Sequence, residues 1–77
     1  MLYGVLREAR VAQGFSQQQF ARLLGLTSRN AYALKERGER RFSIDEGIAI
    51  AQLLGRSVEE LFSRYGVNNM VTKEGDT

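Results

Sequence analysis

Hydrophobic positions along the chain recur at the three- and four-residue spacing of helices. They form five stretches, each closed by a glycine, and these glycines are Gly14, Gly25, Gly38, Gly55 and Gly66. A glycine directly after the last periodic residue is typical of a helix C-terminus, because it adopts the left-handed conformation without steric cost. No run alternates between hydrophobic and polar residues as a half-buried strand does. The pattern therefore predicts an all-α domain of five helices.

Serine residues mark the expected starts of three of these helices. Each is followed three positions later by Gln or Glu, the spacing of a capping box; the pairs are Ser16 with Gln19, Ser43 with Glu46, and Ser57 with Glu60. The first helix is predicted over residues 1–13, and Thr27 is the expected cap of the third. The folded domain is expected over residues 1–66, and the polar residues 67–77 are expected to form a flexible tail.

The second and third helices are separated by only three residues, 25–27, which is typical of a helix-turn-helix. Ala31 and Leu34 are three apart on the third helix, so we expect both to point inward. This phase leaves five residues facing outward: Ser28, Arg29, Asn30, Tyr32 and Ala33. A helix held by its inner face, with small and hydrogen-bonding side chains at its exposed start, suits insertion in a DNA major groove. These five residues are the predicted base or groove contacts.

The fourth helix has the broadest hydrophobic face, which indicates the most central position. Its predicted inward stripe contains Ile44, Ile48, Ala51 and Leu54 or Gly55, and Ile50 and Leu53 broaden this face. Gly47 interrupts this helix and is expected to permit close approach of another helix.

Two residues on the first two helices leave alternatives open. Arg10 lies beside the hydrophobic stripe of the first helix, and a buried Arg requires a partner, for which Glu36 is the predicted residue. The alternative is a solvated Arg at the edge of the core. Leu23 lies off the inward stripe of the second helix, so it packs under the fourth helix or contacts another chain.

Composition narrows the function. The 77 residues suffice for one small domain, and 43% hydrophobic and 26% charged residues are ordinary for a globular fold. The chain has no Cys and no His, which removes disulfides, the usual metal ligands and the usual general base. We therefore expect no metal, no cofactor and no enzymatic activity. No hydrophobic run approaches the roughly 20 residues of a membrane span, so no membrane association and a cytoplasmic location are expected.

Positive charge is concentrated on the predicted helix-turn-helix. The net charge of the chain is only +2, but residues 22–41 carry six basic residues against two acidic ones, a net charge of +4. Residues 42–65 carry two basic residues against four acidic ones, a net charge of −2. This asymmetry favours contact with a phosphate backbone. The alternative is that the Arg residues only keep a short helix soluble.

The chain resembles the phage repressor and Cro-like (Xre-type) helix-turn-helix family over residues 6–62. The resemblance lies in four motifs, Arg10-x-x-x-Gly14-Phe15-Ser16-Gln17, Phe20-Ala21-x-x-Leu24-Gly25-Leu26-Thr27, Glu36-Arg37-Gly38, and Ile50-Ala51-x-x-Leu54-Gly55-x-Ser57-x-x-x-Leu61-Phe62. It implies a compact, lambda-repressor-like five-helix fold with the third helix in the major groove. It also implies base contacts from Ser28 and Arg29, with Arg29 the candidate for a bidentate guanine contact and a phosphate contact as its alternative. The implied phosphate contacts are Ser16, Gln17, Thr27, Lys35, Arg37, Arg40 and Arg41.

Three positions depart from the family pattern. One additional residue stands between Leu34 and Gly38, so the family's Glu falls at Lys35 and an Arg10–Glu36 pair requires a longer or rotated helix end. Phe42 replaces the usual Pro and is expected to fill the core, and Arg56 stands where a small apolar residue is common.

The resemblance implies a sequence-specific transcriptional regulator, a repressor that binds double-stranded DNA as a homodimer on a two-fold operator. The alternative function is a protein-binding module, such as an antitoxin of this fold that binds a toxin partner.

Overall fold

The computed structural model describes residues 3–62. This part of the chain is all helical and contains five α-helices, α1 (Gly4–Ala12), α2 (Gln17–Leu23), α3 (Arg29–Glu36), α4 (Ile44–Leu54) and α5 (Val58–Phe62). The predicted all-α, five-helix fold is confirmed. The predicted helix end at Gly66 and the tail over residues 67–77 lie outside the described residues.

Local side-chain hydrogen bonds fix the starts of α2, α4 and α5. The Ser16 hydroxyl accepts a hydrogen bond from the Gln19 backbone N–H at 3.0 Å, and the Gln19 side chain accepts one from the Ser16 N–H at 2.7 Å. The same reciprocal pair forms at the starts of α4 and α5, so all three predicted capping boxes are confirmed. The Phe15 and Phe20 rings lie 5.1 Å apart, as a hydrophobic staple across the α2 start requires.

The cap of α3 lies one residue later than predicted. The Ser28 hydroxyl, not that of Thr27, accepts a hydrogen bond from the Ala31 N–H at 3.2 Å. Gly25 closes helix α2 as predicted, but the closing hydrogen bonds extend one residue beyond this glycine. Gly25 adopts φ 74°, and the Leu26 N–H donates to the Ala21 carbonyl at 2.8 Å. Residue 26 therefore still belongs to the C-terminal motif of α2.

The inward face of α3 also differs from the prediction. Tyr32 is fully buried and Ala33 is only 8% exposed, so the prediction that they face outward is wrong. Ala31 and Leu34 flank this face and are half-buried. The helix turns a polar side inward because the Tyr32 hydroxyl donates to the buried Glu36 carboxylate at 2.9 Å. With its polar end satisfied, the large Tyr ring is free to pack in the core.

A similar phase difference is found in α4. Its buried residues are Gly47, Ile50 and Leu54, whereas Ile44 and Ile48 are 82% and 46% exposed. The prediction that Ile44 and Ile48 point inward is therefore wrong. The Phe62 ring of α5 packs against α4 at Gly47, where an added Cβ would lie at an ordinary contact distance of 3.7 Å. The helices therefore approach each other at Gly47, as expected, but the separation leaves room for a Cβ.

Aromatic rings form the part of the core that holds the loop between α3 and α4. Phe42, in that loop, lies 5.8 Å from Tyr3, 6.0 Å from Tyr32 and 5.0 Å from Phe62 between ring centroids. These separations are typical of favourable edge-to-face pairs. Phe42 thus packs in the core, as expected, and fixes the C-terminal end of the loop.

Candidate nucleic-acid interface

A buried ion pair joins α1 to the end of α3. The Arg10 guanidinium donates to both carboxylate oxygens of Glu36, from Nε at 2.7 Å and from Nη2 at 3.1 Å. Both side chains are almost fully buried, with 7% and 2% of their surfaces exposed. The remaining Arg10 nitrogen, Nη1, donates to the Phe15 carbonyl at 2.7 Å, directly before α2. One guanidinium therefore fixes the relative positions of three helices.

The Glu36 carboxylate accepts two further hydrogen bonds inside the domain. The Gln17 amide donates to Oε1 at 3.0 Å and the Tyr32 hydroxyl donates to Oε2 at 2.9 Å. Burial raises the pKa of Glu36, but the hydrogen bonds from Arg10, Gln17 and Tyr32 lower it further, so the pKa lies below its ordinary value. The carboxylate is therefore ionised at neutral pH, and every donor around it is satisfied.

The start of α3 is exposed, although the Arg10–Glu36 ion pair holds the rest of this helix against α1 and α2. Ser28, Arg29 and Asn30 are exposed at the first turn of α3, where the sequence predicted base contacts. The Arg29 Nη1 donates to the Gln17 side-chain oxygen at 3.3 Å. Because the Gln17 amide nitrogen donates to Glu36, its oxygen faces Arg29. The structure brings these side chains together at one end of the helix-turn-helix.

The two residues of the next helical turn do not join this surface. Tyr32 and Ala33 are buried on the opposite side of α3, so neither side chain can reach a base. Tyr32 instead contributes to the internal network, in which burial and the neighbouring Glu36 carboxylate raise the pKa of its phenol.

The predicted phosphate contacts divide into two groups. The side chains of Thr27, Arg37, Arg40 and Arg41 are exposed. The other three are engaged within the domain: the Ser16 hydroxyl caps α2, the Gln17 amide binds Glu36, and Lys35 binds the loop and α4.

Among the predicted phosphate contacts, Lys35 differs most from the prediction. Only 15% of its side-chain surface is exposed, and its ammonium donates to the Arg41 carbonyl at 2.8 Å and to Glu46 at 2.9 Å. The ammonium that was expected to contact phosphate thus has two partners inside the domain. Sequence reasoning missed this pairing because the two charged residues are 11 positions apart across a loop, where no helical spacing rule applies.

The helices α2 and α3, held together and with the start of α3 exposed, have the geometry of a helix-turn-helix. Comparison with known proteins agrees. The family model described as Helix-turn-helix matches residues 6–61, which include parts of all five helices. The chain belongs to the Xre/Cro-like helix-turn-helix family. This is a family of DNA-binding regulators. No curated protein and no solved structure matches the chain significantly. Within residues 3–62, no helix combines the length and hydrophobicity needed to cross a membrane.

Proposed function

We propose that this protein is a sequence-specific transcriptional regulator, a repressor, that inserts the first turn of α3 into the major groove of double-stranded DNA. One observation carries the proposal. Ser28, Arg29 and Asn30 are exposed at the start of a helix whose inner face is fixed by the buried Arg10–Glu36 pair. A recognition helix reads bases mainly through residues near its N-terminus, and rigidity reduces the entropy lost on binding.

Arg29 is the proposed base-reading residue. A guanidinium has five N–H donors, and within residues 3–62 a single hydrogen bond, to Gln17 at 3.3 Å, restrains that of Arg29. The remaining donors are sufficient for a bidentate contact with guanine O6 and N7, which contributes about 1–3 kcal/mol of discrimination. Ser28 and Asn30 are the neighbouring groove contacts in this proposal.

Phosphate binding is assigned to exposed groups around this turn and in the following loop. Thr27 precedes α3, and Arg37, Arg40 and Arg41 follow it. Arg37 is paired with Glu39 at 2.9 Å, but about half of each side chain is exposed, so the pair can open at small cost when phosphate competes. Within residues 3–62, Arg40 and Arg41 have no side-chain partner, which leaves their full charge for a backbone contact.

A dimer on a two-fold operator is supported by the size of the recognition helix. The eight residues of α3 span about 12 Å at a rise of 1.5 Å per residue. This length covers only about three or four base pairs at 3.4 Å each. One copy therefore reads few bases, and two copies on half-sites about 34 Å apart would supply the selectivity that a regulator needs.

Selection from a pool of random duplexes, at two salt concentrations, tests this proposal. We expect enrichment of a palindromic motif and an affinity that decreases steeply as salt rises. Arg29→Ala should relax selection at one base pair of each half-site, whereas Arg7→Ala removes the same charge from an exposed position on α1 and serves as the matched control. Weak binding without sequence preference, or equal effects of the two substitutions, would refute base reading by α3.

One observation favours the alternative, a module that binds a protein partner. The exposed side chains of Ile44 and Ile48 line a groove together with Tyr3, Val58 and Phe62. Exposed hydrophobic surface of this kind is found at protein–protein contacts. If the selection yields no DNA motif, and Ile48→Glu prevents capture of a copurifying protein, the partner-binding function is favoured instead.

A further inference from the structure

The loop between α3 and α4 is joined to both helices by one ion pair. The Lys35 ammonium, near the end of α3, donates to Glu46 Oε1 at 2.9 Å on the first turn of α4. The same ammonium donates to the Arg41 carbonyl at 2.8 Å in the loop. The two side chains are 15% and 16% exposed, so solvent screens them much less than a surface pair. We call this arrangement the Lys35–Glu46 clamp.

Glu46 has a second function at the same atom. Its Oε1 also accepts a hydrogen bond from the Ser43 backbone N–H at 2.9 Å, which completes the capping box of α4. Burial raises the pKa of Glu46, but the hydrogen bonds from Ser43 and Lys35 lower it further, so the carboxylate stays charged at neutral pH. A single oxygen therefore joins the start of α4 to the ammonium of Lys35.

The loop is also fixed at its two ends. At the N-terminal end, the Glu39 and Arg40 N–H groups both donate to the Leu34 carbonyl, at 2.9 and 3.3 Å. At the C-terminal end, the Phe42 ring packs among core aromatic rings. Between these ends the Arg41 carbonyl is held by Lys35. The backbone of residues 39–42 is thus restrained, while the side chains of Arg40 and Arg41 remain exposed.

We propose that Lys35 and Glu46 are positioning residues for DNA binding, which hold the loop so that Arg40 and Arg41 meet the phosphate backbone without first being ordered. This inference rests on the proposed function and names two residues that support binding without contacting DNA. An ordered loop has less conformational entropy to lose on binding. The clamp thereby adds to affinity for any sequence, because phosphate contacts carry no sequence information.

Neutralisation of Glu46 distinguishes the positioning role from a direct electrostatic effect on DNA binding. Glu46 is an anion near the basic loop, so Coulomb attraction alone predicts that its neutralisation tightens binding to DNA. The positioning role predicts weaker binding instead, because a neutral Gln at position 46 weakens the interaction with the Lys35 ammonium. Glu46→Gln should keep the capping box, since Gln19 fills the same position in the box that starts α2.

The test is a fluorescence-anisotropy titration of a labelled 20-base-pair duplex of mixed sequence. We expect Glu46→Gln to raise Kd roughly 2- to 10-fold, the cost of ordering one or two side chains and their loop. The matched control is Asp45→Asn, which removes the same charge from the neighbouring exposed position of α4. It should leave Kd unchanged or slightly lower. Because Lys35→Met breaks the same clamp, adding Glu46→Gln to it should weaken binding no further.

A second measurement tests the Lys35–Glu46 clamp in the protein without DNA. Amide hydrogen exchange at Glu39 and Arg40 should accelerate in Glu46→Gln, whereas core amides of α2 should keep their protection. Unchanged exchange in the loop, or a Kd equal to or below that of the wild type, would overturn the positioning role. If the wild-type protein does not bind the duplex, the proposed function is refuted and the positioning role falls with it. Amide exchange in the loop distinguishes failure of the clamp from failure of DNA binding. It stays unchanged in Glu46→Gln if the clamp does not order the loop, and it accelerates if only DNA binding is absent.

Discussion

Removal of the Glu36 carboxylate is the most severe single change that the structure predicts. Glu36→Ala deletes an acceptor that serves Arg10 twice, Gln17 and Tyr32, all at 2.7–3.1 Å. Burial lowers the pKa of Arg10, but Glu36 raises it further, so Arg10 is firmly protonated in the native domain. Without Glu36, this buried cation and two neutral donors lose their acceptor.

The expected loss is a large fraction of the stability of the domain. Breaking a buried ion pair from one side typically costs about 3–5 kcal/mol. A domain of this size has a free energy of unfolding of roughly 3–9 kcal/mol, at about 0.05–0.15 kcal/mol per residue. With a urea m-value of about 1–3 kcal/mol/M, the loss lowers the urea midpoint by about 1 M or more. The variant is thus expected to be marginally folded.

The assay is urea denaturation followed by circular dichroism at 222 nm. Glu39→Ala is the matched control, because its carboxylate accepts from Arg37 Nε at 2.9 Å, nearly the geometry of the Arg10–Glu36 bond. That pair is about half exposed, and its removal should leave the midpoint unchanged. The double variant Arg10→Met/Glu36→Leu should recover part of the stability lost in Glu36→Ala, because no buried charge remains, while the buried Tyr32 hydroxyl still lacks its acceptor.

Two outcomes would refute this reasoning. Equal urea midpoints for Glu36→Ala and Glu39→Ala would mean that the buried ion pair stabilises the domain no more than the exposed one. A double variant as unstable as Glu36→Ala would mean that the loss comes from packing volume and the unpaired Tyr32 hydroxyl and not from an uncompensated Arg10 charge.

Three further predictions concern helix propensity, pH and DNA contacts. Gly47→Ala should raise stability by about 0.5–1 kcal/mol in the same denaturation assay, because its Cβ would meet the nearest ring at an ordinary 3.7 Å. Gly55→Ala, at φ 67°, should lower it by about 1–2 kcal/mol. Because the folded-state pKa of Glu36 lies below its ordinary value of 4.5, its stabilising contribution is present above pH 4.5 and is lost as the pH falls through the folded-state pKa. Glu36→Gln should therefore show a smaller fall in urea midpoint between pH 7 and pH 3 than the wild type. In DNA titrations, Arg41→Ala should weaken all sequences equally and flatten the salt dependence, whereas Arg29→Ala should act mainly at one base pair; identical profiles would contradict the assigned contacts.

The fold was predictable from the sequence because its strongest signals are local. A capping box is satisfied by residues three apart, so Ser16 and Ser43 specify helix starts whatever the surroundings. Glycines at positive φ close the helices in the same local manner, as Gly25 and Gly55 do. These signals do not depend on which helix packs against which.

The helix phases were less predictable because they depend on partners distant in sequence. In α3, a hydrophobic pattern selects Leu34 as the inward residue, whereas the structure buries Tyr32 and Glu36. Their burial is favourable only because Arg10, 26 positions before Glu36, supplies a matching charge. In α4, hydrophobicity favours Ile44, whereas the structure turns Gly47 and Ile50 inward and places the Phe62 ring against Gly47. The Arg10–Glu36 pair was predicted, but its effect on the phase of α3 was not, and no spacing in the sequence indicates the contact between Gly47 and Phe62.

The same phase shift determines how much of α3 remains for recognition. Because Tyr32, Ala33 and Glu36 face the core, exposed contact positions on α3 are concentrated in its first turn, with only Arg37 exposed at its C-cap. In the proposed mode of binding, a surface this short specifies few bases, and affinity comes largely from phosphate contacts made by the following loop. Under this proposal, the Lys35 ammonium contributes to binding by holding the loop through its contacts with Arg41 and Glu46. The internal charges fix the geometry of the domain, and the exposed charges are thereby free to bind.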